Sequence, residues 1–495
     1  MPKRKSHSGA CAFLCLVSAV SAAHAGDSTP QAGAVEARAK HFALAVSSGN
    51  PEVLKRLVSD DFDPRMQQIP MSAHMAVLMS FWDRSRGLAF DHATLLGPDS
   101  GRVVFKNHLT GGSTLIFLRV EPDPPYRIVA LNTLSNLHDP ISEPRQPGVA
   151  ARNSNKMKIA RELSAFMTRL SSANVFSGAV LLAKDGKVVF KGVYGQADRN
   201  SGVANRIDTK FNLGSMNKMF TAVAIAQLVE RGQLSYDDPL SKFLADFPDA
   251  QSAKKIQIKH LLSHTAGLGM WWGPRYRQAA KDSFRTVDEM LAWASEDEKS
   301  TQFEPGTQFR YSNTGFIVLG KVIEKITGQS YYDYIRQNIY TPAGMDNTDS
   351  YELDAVTPRI AMGYEKTFDE RGKATFRNNL YVTPVRGGPA GGGYSTVEDL
   401  LKFAEALRSG GLLKPENVQL LFSAKPALGA SRYGYGFDVD EALGIVGHGG
   451  GGMGTSDNLD MFLHSGWTAI VLSNYTEVSG EVCEPVVTRI RELVD

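Results

Sequence analysis

Ser215 and Lys218 stand three residues apart in Ser215-Met216-Asn217-Lys218, where a strongly apolar stretch begins. A serine hydroxyl is a poor nucleophile at neutral pH and needs a base within hydrogen-bond reach. A helix supplies that reach, because residues three apart share a face with about 5 to 6 Å between their Cβ atoms. The run 216–230 is apolar nearly all round, which predicts a buried helix, and Gly232 offers its stop. Ser215 then lies at a helix N-terminus, where unpaired N–H groups and the positive dipole end favour an alkoxide or oxyanion. S-x-x-K also arises by chance, and a serine at a helix start is ordinarily an N-cap.

Two further groups bear on that choice. Tyr311-Ser312-Asn313 follows the turn Glu304-Pro305-Gly306-Thr307 and precedes a helical stretch over 315–326 closed by Gly328. A phenol at a helix entrance can relay the serine proton, and a carboxamide can hold a substrate amide or the lysine. Packing and turn roles suit the same two residues. Near the C-terminus, Ile445-Val446-Gly447 leads like a strand into His448-Gly449-Gly450-Gly451. Glycines there let a backbone N–H approach a ligand closely, while His448 can orient or protonate.

S-x-x-K, then Y-x-N, then H-x-G resembles the signature of the serine β-lactamase and penicillin-binding-protein superfamily, in its class C-like branch with esterases, D-aminopeptidases and DD-peptidases. His260-Leu261-Leu262-Ser263-His264-Thr265-Ala266-Gly267-Leu268 and Gly388-Pro389-Ala390-Gly391-Gly392-Gly393-Tyr394-Ser395-Thr396 resemble it too, and the similarity covers 154–495. Joint occurrence is far more specific than any one motif. The resemblance implies Ser215 as acylated nucleophile and Lys218 with Tyr311 as a coupled proton-transfer pair. Asn313, His448 and Gly450 become substrate-binding residues, and the backbone N–H groups of Ser215 and Gly451 an oxyanion hole. Either member of the Lys218–Tyr311 pair can be the deprotonated one at rest. Many true β-lactamases carry lysine where this chain has His448, which is largely neutral above a pKa of about 6.5. A weaker hold on a carboxylate shifts the reading from β-lactams toward esters or peptides. No glutamate motif of the class A kind is present, so a water near Tyr311 is the expected deacylating group.

Other residues invite plainer readings. His264 beside Ser263 suggests a pair, but adjacent side chains rarely face one another, and a structural role is expected. Ser395 with Glu398 reads as a capping box before a helix over 400–407. Trp271 and Trp272 read equally as a substrate-facing lid or as core cover.

Lys3, Arg4 and Lys5 precede an apolar run over 9–22 and the Ala23-His24-Ala25 cleavage pattern, a secretory signal peptide cut after Ala25. The run is shorter than the roughly 18 residues a membrane helix needs, so an exported protein, periplasmic or secreted, without a stable span is expected. Losing those three positive charges takes the formal net charge from +2 to −1, and no basic surface argues for nucleic acid. Cys483 alone follows the cleavage point, which leaves no internal disulfide or multi-cysteine zinc site. H-E-x-x-H, Walker and G-x-S-x-G patterns are absent as well. A cofactor-free, metal-free enzyme acting on a small molecule or peptide is expected, with its oligomeric state open.

A chain of 495 residues exceeds one ordinary core. The expected organisation is a signal peptide (1–25), a small α+β domain (30–138), a linker rich in proline and polar residues (139–153) and the hydrolase domain (154–495). The small domain pairs helical patterns over 34–58, broken at Ser47-Ser48-Gly49-Asn50-Pro51, with strand-like runs at 101–105, 113–120 and 126–132. It resembles the cone-shaped nuclear-transport-factor-2-like folds in pattern, and a non-catalytic role is expected. In the larger domain a hairpin at 179–183 and 187–194 and strands at 436–439, 445–446, 459–462 and 467–472 come from opposite ends of the sequence. The expected fold is an α/β (α+β) β-lactamase/transpeptidase-like one: an antiparallel sheet flanked by terminal helices, the last over 482–493, with an inserted, mostly helical lobe over 215–421. The function expected is an exported serine hydrolase acting through an acyl-enzyme on a small ester, amide or D-amino-acid peptide. β-Lactam hydrolysis and a non-turnover penicillin- or wall-peptide-binding protein are the alternatives.

Overall fold

A computed structural model describes residues 30–134, 155–294, 300–478, 480 and 482–494. The expected signal peptide and 139–153 linker lie outside the described residues. The described chain forms two compact units. The first groups residues 30–134 with the described residues of Lys366–Phe376 and Glu477–Gly480, two segments that no contiguous division of the sequence assigns to it.

In the first unit, helix α1 (Pro30–Ser48) ends before Asn50, whose side chain caps α2 (Pro51–Asp61). A third helix, α3 (Met71–Ser85), was not signalled by the sequence patterns. Strands β1 (Leu88–Leu95), β2 (Ser100–Asn107), β3 (Ser113–Val120) and β4 (Ile128–Leu134) make one antiparallel sheet in sequence order. β1 escaped the reading because its buried positions do not alternate regularly and its register slips between Phe90 and His92. Phe42 sits edge-on to Phe81 at 5.4 Å and tilts against Phe105 at 5.9 Å, joining helices to sheet. The same unit buries a polar cluster in which Lys366 pairs with Asp83 and Ser80 donates to Glu477 at 2.6 Å.

The second unit begins with α4 (Lys156–Ser172) and the hairpin β5 (Gly178–Lys184) and β6 (Lys187–Tyr194). The lobe carries α5 (Asn217–Glu230), α6 (Asn313–Thr327) and α7 (Val397–Arg408). The chain then returns as β7 (Asp438–Asp440), β8 (Ile445–Gly452), β9 (Thr455–Phe462) and β10 (Trp467–Ser473) and closes with α8 (Glu484–Val494). The sheet order is β7-β8-β9-β10-β5-β6, antiparallel throughout. This is the β-lactamase/transpeptidase-like architecture expected from the sequence. Strand alternation sends Ala179, Leu181 and Ala183 into the core shared with Phe220 of α5 and Phe403 of α7. Arg491 of α8 is fixed by the buried Asp460 carboxylate of β9, at 2.7 Å to Nε and 3.0 Å to Nη2.

Three local expectations change. The glycine-rich run after His448 continues the strand to Gly452, since β9 pairs with it along its whole length. The cap of α7 is Thr396, whose side chain accepts from the Asp399 N–H, while Ser395 Oγ bonds Thr348 Oγ1 at 2.7 Å. With its hydroxyl bonded to Thr348, Ser395 does not cap the helix, and the cap falls one residue later. Trp271 is core, its indole N–H donating to Met290 O, whereas Trp272 is exposed and stacked on Tyr276 at 5.7 Å.

Candidate active site

Ser215 sits in a tight 3-10 turn (Gly214–Met216) that feeds directly into α5, one residue before the N-cap Met216. The turn is built by glycine. Gly214 has φ +47°, and a Cβ there would lie 2.7 Å from the backbone nitrogen of Gly451. Its N–H donates to Asn212 Oδ1 at 2.9 Å, and its carbonyl accepts from Gly392 N–H at 3.0 Å. Gly450 passes just as close, since a Cβ on it would meet Leu213 O at 2.2 Å. The Gly451 amide nitrogen and the Ser215 turn are therefore immediate neighbours.

One turn along α5, Lys218 is wholly buried. Its Nζ stands 3.2 Å from Ser215 Oγ, 2.7 Å from Asn313 Oδ1 and 2.5 Å from Ala390 O. Burial drives its pKa well below the ordinary 10.5, with the Asp438 carboxylate opposing the shift. A neutral amine has two N–H donors and one lone pair. Asn313 and Ala390 take the donors, which leaves the lone pair for the serine hydroxyl.

Tyr311 precedes the N-cap Ser312, whose Oγ accepts from Gly315 N–H at 3.0 Å, so the sequence Tyr311-Ser312-Asn313 is locked at the entrance of α6. Its phenol is hydrogen-bonded to Ser215, and Lys218 Nζ lies 4.8 Å from the ring centroid. Burial pushes the phenol above its ordinary value of 10, and the Ser215 hydrogen bond opposes that. The two pKa values move so as to leave the amine as proton acceptor and the phenol protonated.

The structure thus gathers Ser215, Lys218, Tyr311 and Asn313 within direct contact. His448 is placed differently. It is buried on β8, its Nε2 2.8 Å from Tyr433 Oη and its Nδ1 2.6 Å from Gly449 O. Both ring nitrogens are engaged within the protein. The Ala390 carbonyl and Asp438 were not picked out from the sequence as site groups. The family-like stretch Gly388–Thr396, which contains Ala390, was the available signal.

Residues 159–488 match the beta-lactamase family. The chain belongs to that family. A penicillin-binding protein of Bacillus subtilis is 29% identical over 336 residues, covering 65% of this chain and 73% of that protein. A teichoic acid D-alanine hydrolase of Staphylococcus aureus is 27% identical over 53% of this chain and 63% of its own length. Among solved structures, a D-stereospecific amidohydrolase from Streptomyces is 25% identical with a TM-score of 0.55, over 68% of this chain and 98% of that one. The relatives that resemble this chain include hydrolases, and the chain is a serine hydrolase of the β-lactamase/transpeptidase-like superfamily. No helix among the described residues is long and apolar enough to cross a membrane.

Proposed function

We propose that the protein is an exported hydrolase that cleaves a small ester, amide or D-amino-acid peptide through an acyl-enzyme on Ser215. The observation that carries this reading is the hydrogen-bond set of Lys218, a buried amine with both donors committed and its remaining face on Ser215 Oγ. Lys218 removes the serine proton as Oγ attacks the carbonyl carbon. The oxyanion is received by the N–H groups of Ser215 and Gly451, and loss of one such donor typically costs about 2.7 to 4 kcal/mol. Tyr311, in contact with Ser215, gives its proton to the leaving alkoxide or amine and is reprotonated by Lys218. A water activated by the same pair then releases the acyl group. Asn313 holds Lys218 and offers its amide N–H groups to the substrate.

His448 supports esters and amides over β-lactams. A buried imidazole with both nitrogens engaged presents no fixed positive charge to a substrate carboxylate. The D-alanine and D-stereospecific activities named for relatives point the same way, and the signal sequence supports export.

The test compares kcat/KM for a D-alanyl amide, its L-enantiomer, a short-chain ester and a chromogenic cephalosporin. Turnover of the D-amide or ester well above the cephalosporin is expected. Preferential cephalosporin turnover would contradict the substrate class, and acylation without release would make the protein a binding protein.

A further inference from the structure

We propose that His264 is a positioning residue for Tyr311, fastened to the chain on both sides of that tyrosine. The proposal rests on the role given to Tyr311 above. His264 O accepts from the N–H of Arg310 at 2.9 Å, and its Nδ1 accepts from the N–H of Ser312 at 3.0 Å. Arg310 and Ser312 are the residues directly before and after Tyr311. Between these two bonds the imidazole lies against the phenol ring, with centroids 4.2 Å apart and planes tilted by 36°.

Backbone geometry makes the double attachment possible. His264 has φ +59°, in the left-handed region that a residue with a side chain enters at a cost. The neighbouring residues hold it there: Thr265 N–H donates to His260 O at 2.8 Å, and Gly306 N–H donates to Thr265 O at 2.8 Å.

The chemistry required at this position is specific. Accepting a hydrogen bond at Nδ1 demands the neutral tautomer protonated on Nε2. Nε2 has no hydrogen-bond partner among the described residues, and the ring is enclosed by Phe309, Phe316 and Tyr433. Burial without a counter-charge holds the imidazole neutral. An aromatic filler alone would be met as well by phenylalanine. What histidine adds is one acceptor, aimed at the peptide that follows Tyr311.

Removing the acceptor frees that peptide and lets the phenol drift from Ser215, and misplacements of about 1 Å can cost roughly a hundredfold in rate. The experiment measures kcat, KM and thermal midpoint on a chromogenic ester for H264F, H264N, H264Q, Y311F and H264F/Y311F. Asparagine carries its acceptor near the Nδ1 position, whereas glutamine carries it farther out. H264F is expected to lose about ten- to a hundredfold in kcat with KM little changed, and H264N is expected to recover most of it while H264Q does not. H264F should add no more than about twofold to the loss of Y311F, within ordinary additivity error.

Multiplying losses in the double variant, or equal rates for H264N and H264Q, would overturn the positioning role while leaving Tyr311 in the chemistry. If H264F does not fold, the comparison of asparagine with glutamine decides alone. A Y311F enzyme at wild-type rate would overturn both the role of Tyr311 and the role of His264 through it.

Discussion

Asn313 Oδ1 lies 2.7 Å from Lys218 Nζ, closer than Ser215 Oγ at 3.2 Å. The amide dipole orients the amine without adding charge, so desolvation is left to set its protonation. A carboxylate there would change the outcome. Asn313→Asp places an opposite charge beside Lys218 and favours the ammonium form. The acid limb of the kcat/KM profile is expected to move to higher pH, with activity at pH 7 down by about tenfold or more. An unmoved limb would mean that Lys218 is not the titrating base.

In the wild-type enzyme the same reasoning fixes the sign of the pH dependence. The proposed mechanism requires neutral Lys218, whose pKa burial holds well below 10.5. It should be present above that depressed value and fall as pH drops through it. Lys218→Ala should lower acylation by roughly 10²–10⁴-fold, the usual contribution of a general base. Pre-steady-state acylation rates across pH 5 to 10 check both statements.

Gly214→Ala tests the turn that carries Ser215, the proposed nucleophile. A Cβ at φ +47° would press on the Gly451 nitrogen, 2.7 Å away. The account of an oxyanion site made by Ser215 and Gly451 leads to a loss of about 10²–10³-fold in kcat, comparable with deleting one donor. Stopped-flow acylation with an activated ester measures it, and a rate within about threefold of wild type would contradict that site.

Glu477, in the first unit, supplies a stability test that does not involve Ser215. Burial pushes its pKa up to about 7, with Lys366 opposing and Asp83 reinforcing the shift. The folded protein therefore binds this proton more tightly than the unfolded chain does. Its contribution is fully present below the ordinary carboxylate value of 4.5 and is lost as pH rises through about 7. Glu477→Gln should reduce the loss of stability between pH 5.5 and 8.5 by on the order of 2 kcal/mol, read by denaturant titration at each pH. An unchanged pH dependence would rule out this titration.

The fold was legible where both ends of the larger domain carry regular strands, as at Lys187–Tyr194 and Trp467–Ser473. It was less so where tertiary pairing overrides local pattern. Lys366–Phe376 joins a unit far from it in sequence, and nothing in its composition announces that. The spacing of Ser215 and Lys218 marked the helix that brings them together, and Tyr311 with Asn313 marked the second. The Ala390 carbonyl escaped because a backbone acceptor leaves no residue type to read. His264 was set aside on the ground that it neighbours Ser263, although its partners are Arg310 and Ser312, more than forty positions away. A positive φ was the missing information, and only glycine and asparagine advertise that in a sequence.

Time-resolved intact-mass spectrometry of the protein with a chromogenic ester tests the proposed covalent role of Ser215 most directly. A transient adduct of the acyl mass, accompanied by continuing product release and absent in Ser215→Ala, is the expected result. An adduct that survives Ser215→Ala, or turnover unaffected by that substitution, would contradict it.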